Sequence, residues 1–354
     1  MSFFAGLDVS LEETSVCIVD NEGKVLRESK VETDPVALRD ALAGHAGALS
    51  RIGVEASSIG IWVHRELQAF GLPMVVVETR HMRSSLSAMR NKTDRNDARG
   101  IASMMRLGWY RPVHVKCLEN QQLHTLLANR KLLKRKLIDL ENHIRGSIRT
   151  YGLRMGHVGR KGFEARVREL MEGADLVLET MIFTMLDVRR AVLEGFNKLH
   201  EILLKIVMHD PICRRFMAVP GVGPIAALSF KVAVDDPHRF ARSRTVGAHF
   251  GLTPRRHQSG TSIDFAGHIS KQGDFNVRGA LCEAASSLLT RVQRWSALKA
   301  WGMKIAKRAS MMCAIVAVAR KLASILHSMW VNGTDFKWTS GAKITPKMRL
   351  RPAH

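Results

Sequence analysis

Apolar residues recur along this chain with more than one period, and each period predicts a different architecture. In the first hundred residues they come in short blocks. Residues 3–8 (Phe-Phe-Ala-Gly-Leu-Asp) read as a buried strand and residues 14–19 alternate as a second. Asp20-Asn21-Glu22-Gly23 is a turn, and residues 24–31 return as a third strand. Val36, Leu38, Leu42 and Leu49 predict a helix over 35–49, followed by a short strand at 51–56 and a helix at 61–70. The four apolar residues 74–77 read as a buried parallel strand, and a further helix is predicted from about 96 to 107. A strand hairpin followed by alternating helix and strand specifies a mixed α/β domain, placed at 1–115.

The period then changes to seven. Leu126, Leu133 and Leu140 form one such series, Leu137 and Ile144 another, and Leu178, Met185, Val192, Leu199 and Ile206 hold the step over four intervals. Sustained heptads predict a coiled coil or long helical hairpin over 116–208, with the glycine-rich stretch 152–162 as the turn between its arms. After Asp210-Pro211 a mainly helical region is predicted over 209–335, its last strong helix running from 310 to 330. A basic tail, 336–354, carries Lys337, Lys343, Lys347, Arg349 and Arg351 without an acid and is expected to order only on a phosphate backbone. The overall class is thus α/β plus α.

Charge separates these regions. The 354 residues have a net charge of +22, yet residues 1–78 hold six Lys and Arg against twelve Asp and Glu, and the remainder holds 48 against 20. An acidic front on a strongly basic body points to a polyanionic partner, most simply nucleic acid. The longest apolar run, 311–319, stops at Arg320 and Lys321, short of the roughly 20 residues that span a bilayer, so no membrane is expected. The first residues lack the basic region of a secretory signal. Five scattered cysteines without a C-x-x-C pair suit a reducing cytoplasm and give no zinc site.

Three constellations carry candidate chemistry. Asp8 and Glu55 each end an apolar strand, where an acid is costly without a cation, and Asp94 and Asp97 share one face of the predicted helix. A lone Asp is ordinarily a solvated carboxylate; several converging carboxylates are what metal-assisted phosphoryl transfer requires, with Mg²⁺ or Mn²⁺ as the metal. Next, Val219-Pro220-Gly221-Val222-Gly223-Pro224 would expose the backbone N–H groups of Gly221 and Gly223 to a phosphate at a helix start, although glycine turns also simply join helices. The third runs from Gly251 to Gly273. There Arg255, Arg256 and Lys271, with Arg278 beyond, could clamp a phosphate; Ser259 reads by chemistry alone as a turn residue. His257 is a candidate phosphate contact, and Trp295, Trp301, Trp330 and Trp338 are candidate base-stacking or packing residues.

Taken together, Gly6-Leu7-Asp8-Val9-Ser10, Gly53-Val54-Glu55 and Asn91-Lys92-Thr93-Asp94-Arg95-Asn96-Asp97-Ala98 resemble the Asp-Glu-Asp-Asp (DEDD) transposases of bacterial insertion sequences. The Pro-Gly-Val-Gly turn, the Gly-Leu-x-Pro block ending in Ser259-Gly260 and the Ile269-Ser270-Lys271-x-Gly273 block extend the resemblance to residue 279. One departure is Ala56-Ser57-Ser58, where the family often has Ala/Ser-Thr-Gly. The resemblance implies a RuvC-like N-terminal domain of RNase H fold, with Asp8, Glu55, Asp94 and Asp97 holding Mg²⁺. It also implies Ser259 as the nucleophile on DNA, element ends and target as substrates, a bridge RNA as guide, and a dimer or tetramer in the nucleoid of a bacterial cytoplasm. Because the acids and Ser259 fall in different predicted domains, they must be brought together by folding or assembly. Two other readings remain open: a RuvC-like junction nuclease using metal-activated water, and a non-catalytic nucleic-acid scaffold.

Overall fold

Strands form at the short apolar blocks of the N-terminal region. In a computed structural model, which describes residues 2–87, 91–259 and 263–338, they are β1 (Phe3–Val9), β2 (Glu13–Val19), β3 (Val25–Glu32), β4 (Leu49–Glu55) and β5 (Met74–Val77). Their order in the sheet is β3-β2-β1-β4-β5. The first three form an antiparallel meander, whereas β4 and β5 run parallel to β1, as helical crossovers require. The helices are α1 (Pro35–Ala43), α2 (Ser58–Ala69), α3 (Thr79–Leu86) and α4 (Asp94–Leu107). The expected helix over 35–49 is shorter: Gly44 and Gly47 interrupt it, a 3₁₀ turn follows at Ala46–Ala48, and Leu49 already opens β4. Helix α3 was not foreseen, because its exposed residues are mainly Arg and Ser and its one buried residue is Met82.

Strand alternation sorts the sheet's side chains onto two apolar layers. Ala5, Leu7, Ile52 and Val54 face the layer that holds Leu38, Leu42, Val63 and Leu67 of α1 and α2. Phe4, Cys17 and Val19 face Ala98, Ile101, Ala102 and Met105 of α4. That second layer is thin at its centre. A Cβ on Gly6 would collide with the Ala98 carbonyl oxygen and the Ala102 nitrogen, and one on Gly53 would stand 2.7 Å from Ile101 and 2.8 Å from Met105. Helix α4 therefore rests on the backbone of β1 and β4.

The chain divides between Lys116 and Cys117 into two units. The second contains the predicted long helices, α5 (Leu118–Arg149) and α7 (Leu176–His209). They pack antiparallel, with residue 141 opposite 189 and 130 opposite 200. Their connection is more than a glycine turn: it carries a 3₁₀ turn (Arg160–Gly162) and α6 (Phe163–Met171). Phe163, Val167 and Met171 join Ile144, Ile148, Leu178 and Ile182 in a separate small core.

The buried seam lies beside most of the expected one. Leu123, Leu137 and Ile144 are buried on α5 and Ile182, Phe196 and Leu203 on α7, on the seven-residue step, while Leu133, Met185, Val192 and Leu199 are half-buried. The missing members of the two series are Arg130 and Arg189. Arg189 has a side chain only 3% exposed. Its Nε and Nη2 donate to Glu141 Oε1 at 3.0 and 2.7 Å, Nη2 also donates to the Arg160 carbonyl at 3.2 Å, and the guanidinium covers the Phe163 ring. Arg130 donates from Nε to His200 Nδ1 at 3.2 Å and covers the Phe196 ring.

The remaining helices are α8 (Pro211–Met217), α9 (Pro224–Val234), α10 (Ser243–His249), α11 (Phe275–Thr290), α12 (Ala297–Arg308) and α13 (Met311–Asn332). They enclose the largest apolar core, which also takes Leu123, Leu203 and Val207 from the two long helices. Helix α13 has the length and apolarity to cross a bilayer, and its Val318, Leu322, Leu326 and Met329 are buried in this core. A two-stranded sheet, β6 (Pro254–Ser259) with β7 (Ile263–Ile269), is the exception in a mainly helical region. Phe336 packs on the core and Trp338 lies against Arg294, so the tail is anchored at its start; Lys343, Lys347, Arg349 and Arg351 lie outside the described residues.

The contact of α4 with β1 can be tested directly. Gly6→Ala is expected to lower the stability of the N-terminal unit by about 2 kcal/mol or more, since neither contacting backbone atom can yield without moving α4. Denaturant unfolding followed by circular dichroism measures this; a variant as stable as the wild type would refute the close contact.

Candidate active site

Asp8 and Glu55 follow directly from the parallel pairing of β1 and β4. Leu7 stands opposite Val54 in that ladder, so Asp8 and Glu55 are the next residues of two neighbouring strands. Alternation puts Asp8 on the same face as Phe4 and Gly6, and Glu55 on the same face as Gly53, which is the face that α4 covers. Helix α4 starts at this end of the sheet. The Thr93 side chain accepts a hydrogen bond from Asn96 N at 3.2 Å and caps it. Asp94 and Asp97 occupy its first turn, where the helix dipole favours negative charge in any case. The departure at Ala56-Ser57-Ser58 has a local role: the Ser57 hydroxyl accepts from Gly60 N at 2.8 Å and caps α2 immediately beyond Glu55.

The four acids interact electrostatically. The Asp8 carboxyl is pushed up to about 6 by burial, then by the negative charges of Asp97, Asp94 and Glu55, while Lys92 opposes them. Lys92 joins the site as a basic group two residues before Asp94, in the segment that leads into α4. Among the described residues, no three Asp, Glu, His or Cys side chains meet closely enough to form a metal-holding cage. The cluster is an open one. Its hard oxygen donors and negative charge, only partly offset by Lys92, fit a divalent cation that also takes waters and substrate phosphates as ligands. A closed cage would suit a structural ion.

The second unit holds the other candidates. Ser259 ends β6, opposite Ile263 in the ladder, and the residues between the strands, including Gly260, lie outside those described. The side chains of His257 and Ser259 are also outside the description. Arg255 donates from Nη2 to the Ser270 carbonyl at 3.2 Å, near the other end of the hairpin. Lys271 is exposed, with a left-handed φ of 55°. Arg278 donates from Nη1 to the carbonyls of Phe250 at 3.1 Å and Gln272 at 2.9 Å, and so ties the hairpin base to α11. Arg256 is exposed on β6. Since β6 rises about 3.3 Å per residue, Ser259 and Arg255 are separated by about 13 Å of strand.

At the glycine turn, Gly223 caps α9 and faces open space, whereas a Cβ on Gly221 would collide with the Ala284 carbonyl oxygen of α11. Packing therefore accounts for Gly221. Trp330 packs on Phe216 in the core, and Trp295 and Trp301 are exposed.

Comparison with known proteins places the chain among transposases. A family model for the DEDD transposases of IS110 elements, described as Transposase, matches residues 5–152, and one described as Transposase IS116/IS110/IS902 family matches 213–302. The chain is 30% identical over 332 residues to the transposase of insertion sequence element IS1111A from Coxiella burnetii, covering 92% of this chain and 88% of that one. It is 25% identical over 291 residues to a probable family 20 transposase of Pseudomonas aeruginosa, covering 81% and 85%. The IS1328 transposase of Yersinia enterocolitica matches over 144 residues at 30% identity, covering 40% and 43%.

The crowding around Asp8 has a measurable sign. A carboxyl whose pKa is higher in the folded state than in the unfolded chain penalises folding once it ionises. That penalty is absent below about pH 4, develops up to about pH 6 and stays constant above it. Asp8→Asn removes it. In EDTA, the stability of the variant's N-terminal unit relative to wild type is expected to rise by about 1–2 kcal/mol between pH 4 and pH 6.5, less than the full shift because the carboxyl is partly solvated. Urea unfolding across that range measures this, and a gap that is flat or shrinks with pH would show that Asp8 is not crowded.

Proposed function

Since the chain belongs to the IS116/IS110/IS902 family of insertion-sequence transposases, whose members catalyse DNA cleavage and strand transfer, we propose that it cuts and rejoins DNA through a phosphoserine intermediate at Ser259, assisted by a divalent-metal centre at Asp8, Glu55, Asp94 and Asp97. The observation that carries this reading is that Asp8 and Glu55 end neighbouring parallel strands while Asp94 and Asp97, in the first turn of α4, act electrostatically on Asp8. A sheet of order β3-β2-β1-β4-β5, in which β2 alone runs opposite to the other four strands, supports reading the first unit as RNase H-like.

The acids would bind Mg²⁺, whose chemistry when bound is to polarise the scissile phosphate and stabilise the developing charge. Asp8 and Glu55, on rigid strands, would orient it, and Asp94 and Asp97 would complete the donor set. Lys92 would face the substrate phosphate beside them. The Ser259 Oγ would attack that phosphate: an Oγ–P bond forms, the P–O bond to the departing strand breaks, and the proton lost by the hydroxyl balances the one gained by the leaving oxygen. Reversal at a new strand end restores the serine.

Partners follow from charge and family. The exposed Lys131, Lys134, Arg135 and Lys136 on α5 supply a basic face for DNA or RNA backbones. The resemblance of the motifs implies a bridge RNA that pairs with element and target DNA, which would relieve the protein of reading base sequence. The paired long helices, read as a coiled coil, would join copies into a dimer or tetramer.

Covalent capture tests the nucleophile. The protein is incubated with Mg²⁺, element-end DNA and RNA transcribed from the element's non-coding end, then denatured and run on a gel. Wild type is expected to carry DNA covalently, and both Ser259→Ala and Asp8→Asn to lose the adduct. Strand cleavage that persists in Ser259→Ala without an adduct would replace the serine mechanism by hydrolysis with activated water.

A further inference from the structure

Asp94 and Asp97 can serve the acidic centre only if α4 keeps one rotation about its axis. Its apolar face sits on Gly6 and Gly53, which set its height above the sheet. The buried residues of α4 begin at Ala98, so the core holds the body of the helix while the first turn, Asp94 to Asp97, buries no side chain in it. What grips that turn is on the far side of the sheet's centre, on the edge strand β3. Glu28, opposite Cys17 in the β2–β3 ladder, accepts hydrogen bonds from two arginines of α4. Arg99 donates to Oε1 from Nε at 2.9 Å and from Nη2 at 2.7 Å. Arg95 donates to Oε2 from Nε at 2.7 Å and also from Nη2. Each carboxylate oxygen thus receives a whole guanidinium.

The two arginines are four residues apart, one turn along the helix, and they interleave with the two aspartates. The Glu28 side chain is 15% exposed, against 69% and 43% for Arg95 and Arg99. A single exposed ion pair has little effect on stability. Here one shielded carboxylate fixes two points along α4, and two fixed points define the orientation of a short rod. The same contact keeps both guanidinium groups engaged away from Asp94 and Asp97, where they would compete with a cation.

We propose that Glu28 is a positioning residue of the acidic centre: by holding Arg95 and Arg99 together, it sets the rotation of α4 that turns Asp94 and Asp97 toward Asp8. This rests on the reading of the four acids as a metal site. The side-chain contacts of Glu28 are to Arg95 and Arg99, so it acts through the helix.

The test uses the full chain and Mn²⁺ alone, with no nucleic acid. Thermal unfolding of the N-terminal unit is followed while Mn²⁺ is titrated into wild type, Asp97→Asn, Glu28→Gln and Arg95→Met. Wild type is expected to gain stability with Mn²⁺ and Asp97→Asn to lose most of that gain. An absent gain in wild type, or an unchanged one in Asp97→Asn, would sink the metal site itself. Given that site, Glu28→Gln is expected to raise the Mn²⁺ midpoint about tenfold, the usual effect of removing a residue that orients ligands. Arg95→Met separates positioning from simple charge. A pure field effect makes its Mn²⁺ binding tighter, because a cation has been removed near the acids. Loss of positioning makes it weaker, as in Glu28→Gln. Midpoints that rise in both variants uphold the proposal. A midpoint that falls in Arg95→Met, or stays unchanged in Glu28→Gln while its metal-free melting temperature drops, overturns it. If Glu28→Gln does not fold, Arg95→Met alone decides by its direction.

Discussion

Where α4 crosses the sheet, the two strands beneath it have no room for side chains. Helix α4 lies on the bare backbone of β1 and β4 because residues 6 and 53 are glycine, and Ala98 and Ile101 descend into the space. Everything at the candidate site depends on this. It brings the start of a helix to the carboxyl ends of two parallel strands, so that acids from three elements come within range of one another. Larger residues at 6 and 53 would lift α4, and the aspartates of its first turn would lose sight of Asp8. Close packing of this kind is usually an economy of the core; here it sets the geometry of surface carboxylates.

The second unit handles charge in the opposite way. In the N-terminal unit, burial and the nearby charges of Asp97, Asp94 and Glu55, only partly offset by Lys92, push the Asp8 carboxyl up to about 6. The helical unit pairs two of its shielded cations with acids: Arg189 with Glu141, and Lys231 with Asp210. Paired interior charges give a rigid scaffold. Unpaired ones signal a ligand.

Much of the fold was legible where one period governed the pattern. Residues 74–77 and 14–19 are strands because apolar, β-branched residues leave no other solution, and the two long helices follow the heptads. The acids were legible because Asp8 and Glu55 interrupt apolar strands. The remainder was hidden for specific reasons. The β6–β7 hairpin begins Pro-Arg-Arg-His-Gln-Ser, a polar strand whose alternation carries no hydrophobic signal. The buried seam of the long helices has arginines on its seven-residue step, and an aliphatic count passes over them. Gly221 looked like a phosphate-binding glycine, although contact with α11 suffices to require it. Glu28 could not be read at all, since its partners lie about 70 residues away and only the folded sheet brings them near.

Arginine within the long-helix seam has one more consequence. A uniform heptad repeat is nearly indifferent to sliding, because each step of seven residues offers an equivalent set of leucine contacts. In this antiparallel pair Arg189 stands beside Glu141. A slip of one heptad would put it beside either Lys134 or Ile148, a like charge or a hydrocarbon surface. Both alternatives leave a desolvated guanidinium without its counter-ion, which is far costlier than any loss of aliphatic contact. The two arms are thereby indexed against each other by a polar tooth, and a span of more than thirty residues on each side keeps one alignment.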